Sequence, residues 1–238
     1  MRFDIITIFS EIVDAYLGES IIKRARAKKL LEFRVHDLRE YTQDKHHKVD
    51  DRPFGGGPGM VLKIEPMARA MDSILKSKVK SQKSKVKVVL FSAAGKQFTQ
   101  KMARDWVKKY DNLVMIAGRY EGVDERIKKI VGNGLSLGDP PKGEKLEVDH
   151  LSIGPYVLTG GELPALVVAD AVSRHIPGVL GKRESLEEKR HGIGVPVYTR
   201  PEVFQWHKKK YRVPQELLSG DHQKIAEWRR KHIRRVKP

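Results

Sequence analysis

The 238 residues include no cysteine, which excludes a disulfide framework and a thiolate zinc site and matches a reducing cytoplasm. No apolar run approaches the ~20 residues that a membrane span requires. The opening MRFDIITIFS has an acid among its apolar residues and lacks a small-residue cleavage site, so it predicts a first strand rather than a signal peptide. Two nucleotide signatures are also missing. The run Gly55 to Gly59 is followed by Met60 and Val61 where a P-loop needs Lys-Ser/Thr, and no G-x-G-x-x-G opens a helix directly after a strand. Internal repeats are absent as well. Acids are scarce: Asp+Glu number 30 against Lys+Arg 47, giving a net charge of +17. That balance favours a polyanionic partner, because each phosphate contact gains electrostatically and releases counterions.

The positive charge is concentrated in two places. Lys76 to Lys87 reads KSKVKSQKSKVK, with six lysines and no acid. Its pattern predicts a solvated, flexible linker more than a specific contact. From Pro201 to Pro238, eleven Lys/Arg stand against four Asp/Glu, with Tyr211 and Trp228 set among the basic residues. The pattern fits RNA contact or a solvated helix face, and RNA contact is the expectation.

Periodicity predicts an α/β order. Strands are expected at Arg2–Phe9, around Phe33 and Val35, at Val86–Phe91 and at Leu113–Ala117. Helices are expected at Ile12–Lys29, Pro66–Leu75, Thr99–Lys109, Asp124–Val131 and Leu163–His175. Alternation of the two argues for a mostly parallel sheet. The aperiodic stretch Arg39 to Met60 reads as a long loop, a length usually tied to function. Residues 132–148 read as an excursion. The expected organisation is a domain over 1–180, a polar linker over 181–196 and a small all-α basic domain over 197–238. In the last, helices are expected at Gln215–Leu218 and Asp221–Ile233, with Asp221 as N-cap.

Three glycine-bearing loops end three consecutive strands: SAAGK after Phe91, GRYEG after Ala117 and IGPYVLTGGE after Leu151. Ligands of open parallel sheets bind at the carboxyl ends of strands. Glycine lets a flat ligand approach the main chain, so Leu151 to Pro164 reads as a cradle for an adenine ring, with Tyr156, Val157 and Leu158 as apolar walls. On glycine content alone a turn between buried elements is the favoured reading, and the other loops shift it toward a ligand site. Without a phosphate-binding signature, S-adenosylmethionine fits these loops better than ATP or NAD.

The segments RFDIITIF, ESIIKRA, DKHHKVDDRPFGGGPGMVLK, GKQFTQK, GRYEGVDER, LSIGPYVLTGGELPALVVADAVSRHIPGVLG and PVYTRPEV together resemble the bacterial tRNA (guanine-N1-)-methyltransferases of the SPOUT class. The resemblance implies an α/β fold with a deep C-terminal trefoil knot and a homodimer whose active site lies between subunits. It implies S-adenosylmethionine contacts at Gly118 and at Ile153, Gly154, Pro155, Tyr156, Val157 and Leu158. Ser92, Gly95, Tyr120, Glu121, Gly160, Gly161 and Pro164 stand around them. Glu121 is also the position implied for a Mg²⁺ or for the methionine amino group. The loop with Asp50, Gly55, Gly56, Gly57, Pro58 and Gly59 would hold the target guanosine, the one immediately 3′ of the anticodon. The C-terminal domain would grip the tRNA anticodon stem-loop.

N1-methylation of guanine requires removal of the N1 proton, work suited to a carboxylate. Charge then develops on O6, for which a guanidinium is a good partner; Arg174 matches the family's arginine in that role. The family's proposed base is an aspartate after PGVLG. Here that position is Lys189, and no aspartate lies between Gly181 and Pro196. Glu188 or Glu187 would supply the carboxylate if the linker shifts by one or two residues; otherwise both are exposed linker acids. SAAG also replaces the family's SPQG, AGRYEG its CGRYEG, and Pro155 an acid, which removes one backbone N–H. Two alternatives follow: a tRNA-binding relative with impaired catalysis, and a knotted methyltransferase acting on another RNA position.

Overall fold

The computed structural model describes residues 1–79, 84–133, 146–181 and 194–233. The chain divides into two compact units, Met1–Val179 and Leu180–Pro238.

The first unit is built on five parallel strands in the order β2-β1-β6-β5-β7. These are β1 (Arg2–Thr7), β2 (Glu32–Asp37), β5 (Val86–Gln97), β6 (Asn112–Ile116) and β7 (Val148–Ser152); β3 (Asp50–Asp51) and β4 (Val61–Leu62) form a separate antiparallel ribbon. Central strands of a parallel sheet are covered on both faces and so read as continuous apolar runs. β1 and β6 are buried from Phe3 to Thr7 and from Asn112 to Ile116 and are mostly apolar; the buried Asp4 is held by Arg2 and His36. Alternate side chains feed two cores. Phe3, Ile5, Leu113 and Met115 pack under α1 (Ser10–Leu17), α2 (Ser20–Ala27), α4 (Gln100–Lys109) and α6 (Glu162–Ser173). Ile6, Val114 and Ile116 pack under α3 (Ile64–Val79) and α5 (Arg126–Gly132).

The single helix expected over Ile12–Lys29 is two. The Gly18 amide donates to Asp14 and closes α1, and Ser20 sits at φ 51°, a conformation that interrupts a helix. β5 runs past its expected end at Phe91. It pairs with Leu151, leaves the sheet through Ser92–Gly95, and pairs again with Leu151 and Ser152 through Lys96 and Gln97. This return requires glycine, since a Cβ on Gly95 would lie 2.6 Å from the His150 carbonyl carbon and from the Leu151 nitrogen. Thr99 caps α4 by accepting from the Met102 amide. The lysine run is not one linker. Lys76 lies in α3, paired with Asp72, and Lys87 in β5, paired with Asp149; residues 80–83 lie outside the described part.

The second unit departs from the all-helical expectation. Val203–Trp206 (β8) and Lys209–Arg212 (β9) form an antiparallel hairpin, where Phe204 and Trp206 stand at period two and Tyr211 lies across from Phe204, all strand-forming residues. The helices α7 (Gln215–Leu218) and α8 (His222–Lys231) follow, and Asp221 caps α8 by accepting from the Gln223 and Lys224 amides. Trp228 is the buried anchor, stacked on His232 at 4.0 Å and edge-on to Tyr198.

Candidate active site

A cleft of about 1320 Å³ opens beside the Ser92–Gly95 excursion of β5 and at the carboxyl ends of β6 and β7. Its walls include Ser92, Gly118, Tyr120, Glu121, Ile153, Tyr156, Val157, Leu158, Gly160, Gly161 and Pro164. A pocket for one small molecule is typically ~300–1,000 Å³, so the cleft has room for a donor and part of an acceptor.

Its framework is an ionic bracket between distant segments. Glu162, at the start of α6, is almost wholly buried; its Oε1 accepts from Thr7 Oγ1 at 2.7 Å. Its Oε2 accepts from Arg119 Nε at 2.9 Å and pairs with the same guanidinium's Nη2 at 2.9 Å. Arg119 also donates to the Thr159 carbonyl and lies 4.5 Å over the Phe9 ring. A buried carboxylate is tolerable when its lone pairs are filled in this way. The bracket ties the end of β1, the GRYEG loop and the start of α6 into one rim. Gly161 completes it: its amide donates to the Gly118 carbonyl at 2.8 Å, and a Cβ there would stand 2.6 Å from the Ala117 Cα. Sequence reasoning passed over Thr7, Arg119 and Glu162. The available signal was a charged residue inside each of two glycine motifs, GRYEG and GGELP.

The Leu151–Pro164 loop is fixed by its own groups. Ser152 Oγ donates to the Gly154 carbonyl and accepts from the Gly154 amide, and the Tyr156 amide donates to the Gly154 carbonyl. Gly154 lies buried beneath the Tyr156 ring, so it shapes the wall without lining the cleft. Gly95 and Pro155 are likewise absent from the lining, Pro155 being exposed. Val157 and Leu158 project as exposed apolar side chains. His150, on β7, lines the cleft, and its Nε2 is buried with no hydrogen-bond partner among the described residues. Burial holds its pKa below the ordinary 6.5, helped by the charge of Lys128.

The Asp50–Met60 loop meets the GRYEG loop edge to edge. The Glu121 amide donates to the Met60 carbonyl, the Leu62 amide to Gly122, and the Asp124 amide to Leu62. The Asp124 carboxyl is held below the usual range by Arg126, whose Nη2 approaches to 2.6 Å. Asp51, Arg52, Pro53 and Phe54 reach the cleft, whereas Asp50, Gly55, Gly56, Gly57, Pro58 and Gly59 do not line it. Gly55, Gly56, Gly57 and Gly59 all take positive φ, which glycine alone adopts freely. Phe54 is 99% exposed.

Arg174 is not brought into this cleft. It caps the far end of α6, twelve residues beyond Glu162, or ~18 Å along the axis, with its amide on the Asp170 carbonyl. Glu187 and Glu188 lie outside the described residues. Among the described residues no cluster of three His, Asp or Glu side chains is arranged to hold a metal ion, and no helix is long and apolar enough to cross a membrane.

The family model for tRNA (Guanine-1)-methyltransferase TrmD matches residues 1–237. A tRNA (guanine-N(1)-)-methyltransferase of Dictyoglomus turgidum is 44% identical over 234 residues, covering 97% of this chain and 84% of the relative. The enzyme of that name from Thermomicrobium roseum is 44% identical over 233 residues, covering 97% and 78%. One from Dehalococcoides mccartyi is 43% identical over 234 residues, covering 97% and 85%. On this match, over nearly its whole length, the chain belongs to the TrmD family of tRNA (guanine-1)-methyltransferases.

Proposed function

We propose that this protein transfers the methyl group of S-adenosylmethionine to N1 of the guanosine immediately 3′ of the anticodon in tRNA. The observation that carries the reading is the convergence of three glycine-bearing segments, the Ser92–Gly95 excursion of β5 and the loops after β6 and β7, on one cleft in a chain of this family. The donor brings a sulfonium methyl as electrophile, so the protein must bind, orient and manage protons. Main-chain groups of Gly118, Ile153, Tyr156, Val157 and Leu158 suit an adenine edge, and Ile153, Tyr156, Leu158 and Pro164 suit its faces. Pro155 offers no amide and stands outside the cleft lining. Glu121 is the carboxylate we assign to the methionine amino group, or to a Mg²⁺ held by one carboxylate together with substrate oxygens.

Proton removal from N1 falls to Glu188 or Glu187, and stabilisation of the developing O6 charge to Arg174. The distance of Arg174 from its own cleft supports a homodimer in which one protomer's Arg174 serves the partner's cleft. Phe9, Ile12 and Tyr16 near α1, with Leu163 and Val167 on α6, leave an exposed apolar face suited to that contact. Tyr16 donates to Asp170 across this face, and that bond pushes its pKa up to about 12. The basic C-terminal unit would bind the anticodon stem-loop, and the work would be done in the cytoplasm. The trefoil knot is proposed on the same basis, the excursion of β5 around Leu151 supporting it.

Incubation with labelled S-adenosylmethionine and tRNA, followed by nucleoside analysis, tests the reading. 1-Methylguanosine is the expected product. A ribose-methylated or differently methylated nucleoside favours another RNA position, and tight tRNA binding without transfer favours a relative that has lost catalysis. Glu188→Gln or Glu187→Gln should lower transfer by ~10²–10⁴-fold at whichever position supplies the base; unchanged rates in both remove the carboxylate assignment.

A further inference from the structure

We infer that one face of the β8–β9 hairpin is a stacking platform for unpaired bases of the RNA substrate. The inference rests on the tRNA reading above and adds to it a site for which the cleft has no use. In the ribbon, Phe204 pairs with Tyr211 and Trp206 with Lys209. Side chains two apart on a strand, and those directly across from them, share a face. Phe204, Trp206, Tyr211 and Lys209 therefore form one surface. The Phe204 and Trp206 rings are stacked, 6.1 Å apart and within 17° of parallel, and His207 meets Trp206 edge-on at the turn.

Among the described residues nothing in the unit covers this surface. Phe204 is 50% exposed, Trp206 59% and Tyr211 53%, and every residue of both strands is exposed. A large aromatic normally buries most of its area, so three on one open face mark a binding surface. The charge identifies the occupant. Lys208, Lys209, Lys210 and Arg212 place four cations on ten residues with no acid, and among the described residues no carboxylate pairs with any of them. Open aromatic rings flanked by unpaired cations suit bases stacked in turn while the backbone phosphates run past the lysines. A protein partner would have to supply several acids to match. Double-stranded RNA would leave the rings unused, because its bases are already stacked. The occupant is thus an unpaired stretch of RNA beside a stem.

The test uses the full-length protein and a tRNA transcript, with tRNA affinity measured across salt concentrations alongside S-adenosylmethionine affinity, sedimentation and methyl transfer. Trp206→Ala and Phe204→Ala should each weaken tRNA binding about tenfold, leaving the salt slope, cofactor affinity and sedimentation unchanged. Trp206→Phe, which keeps a stacking ring, should restore most of the loss. Lys209→Gln should weaken binding and reduce the salt slope by roughly one. Wild-type affinity in both alanine variants overturns the platform while leaving the methyltransferase reading intact. A shift in sedimentation on mutation overturns it in favour of contact with a second protein copy. A wild-type protein that neither binds nor methylates tRNA removes the reading and the platform together.

Discussion

Glu162 illustrates how much one buried carboxylate does here, since Thr7, Arg119 and the start of α6 are held through its two oxygens. Removing one member of a buried pair typically costs ~3–5 kcal/mol, because the remaining charge is left uncompensated. Glu162→Gln should therefore lower the melting temperature by roughly 10 °C and weaken S-adenosylmethionine binding, read by calorimetry. An unshifted melting point would mean that Arg119 finds another partner. Gly161→Ala should abolish cofactor binding, since the added methyl meets the Ala117 backbone and not a flexible side chain. His150 gives a pH dependence. Burial lowers its folded-state pKa below 6.5, so between the two values the unfolded chain binds more protons and folding is disfavoured. Stability should fall as pH drops below about 6.5, and His150→Gln should flatten that part of the profile in chemical unfolding measured from pH 7.5 to 5.

At the scale of elements, legibility followed how local each cause was. Asp221 as N-cap and the helix Gln215–Leu218 could be read because a cap and a four-residue turn depend on adjacent residues. The three glycine segments could be read because each follows an apolar run, ending at Phe91, Ala117 and Leu151. The Arg119–Glu162–Thr7 bracket could not, since its members lie 43 and 155 residues apart and only the sheet brings them together. The β8–β9 hairpin was hidden by its lysines, which resemble a solvated helix as much as a strand, and the α1–α2 break by an unbroken apolar stripe. The β5 excursion hinges on one residue: Gly95→Ala places a methyl against the His150–Leu151 peptide. Soluble yield and refolding amplitude should drop sharply, whereas Gly181→Ala, with nothing among the described residues within 4 Å, should behave as wild type.

For the whole molecule, the charge of +17 and the family match point to a nucleic-acid substrate, while the geometry of α6 bears on how many chains make one site. Arg174→Ala should lower transfer ~10²–10³-fold with cofactor affinity nearly intact. If the site spans two subunits, mixing the inactive Arg174→Ala and Gly161→Ala proteins under exchange should restore about a quarter of wild-type activity, since half the dimers then carry one intact site. Continued inactivity would assign each protomer a complete site of its own. The central claim, methyl transfer to one guanine, is tested most directly by single-turnover transfer to two tRNA transcripts differing only in G or A immediately 3′ of the anticodon. One methyl per tRNA is expected on the G transcript and none on the A transcript; equal labelling of both, or of neither, would rule out transfer to that guanine.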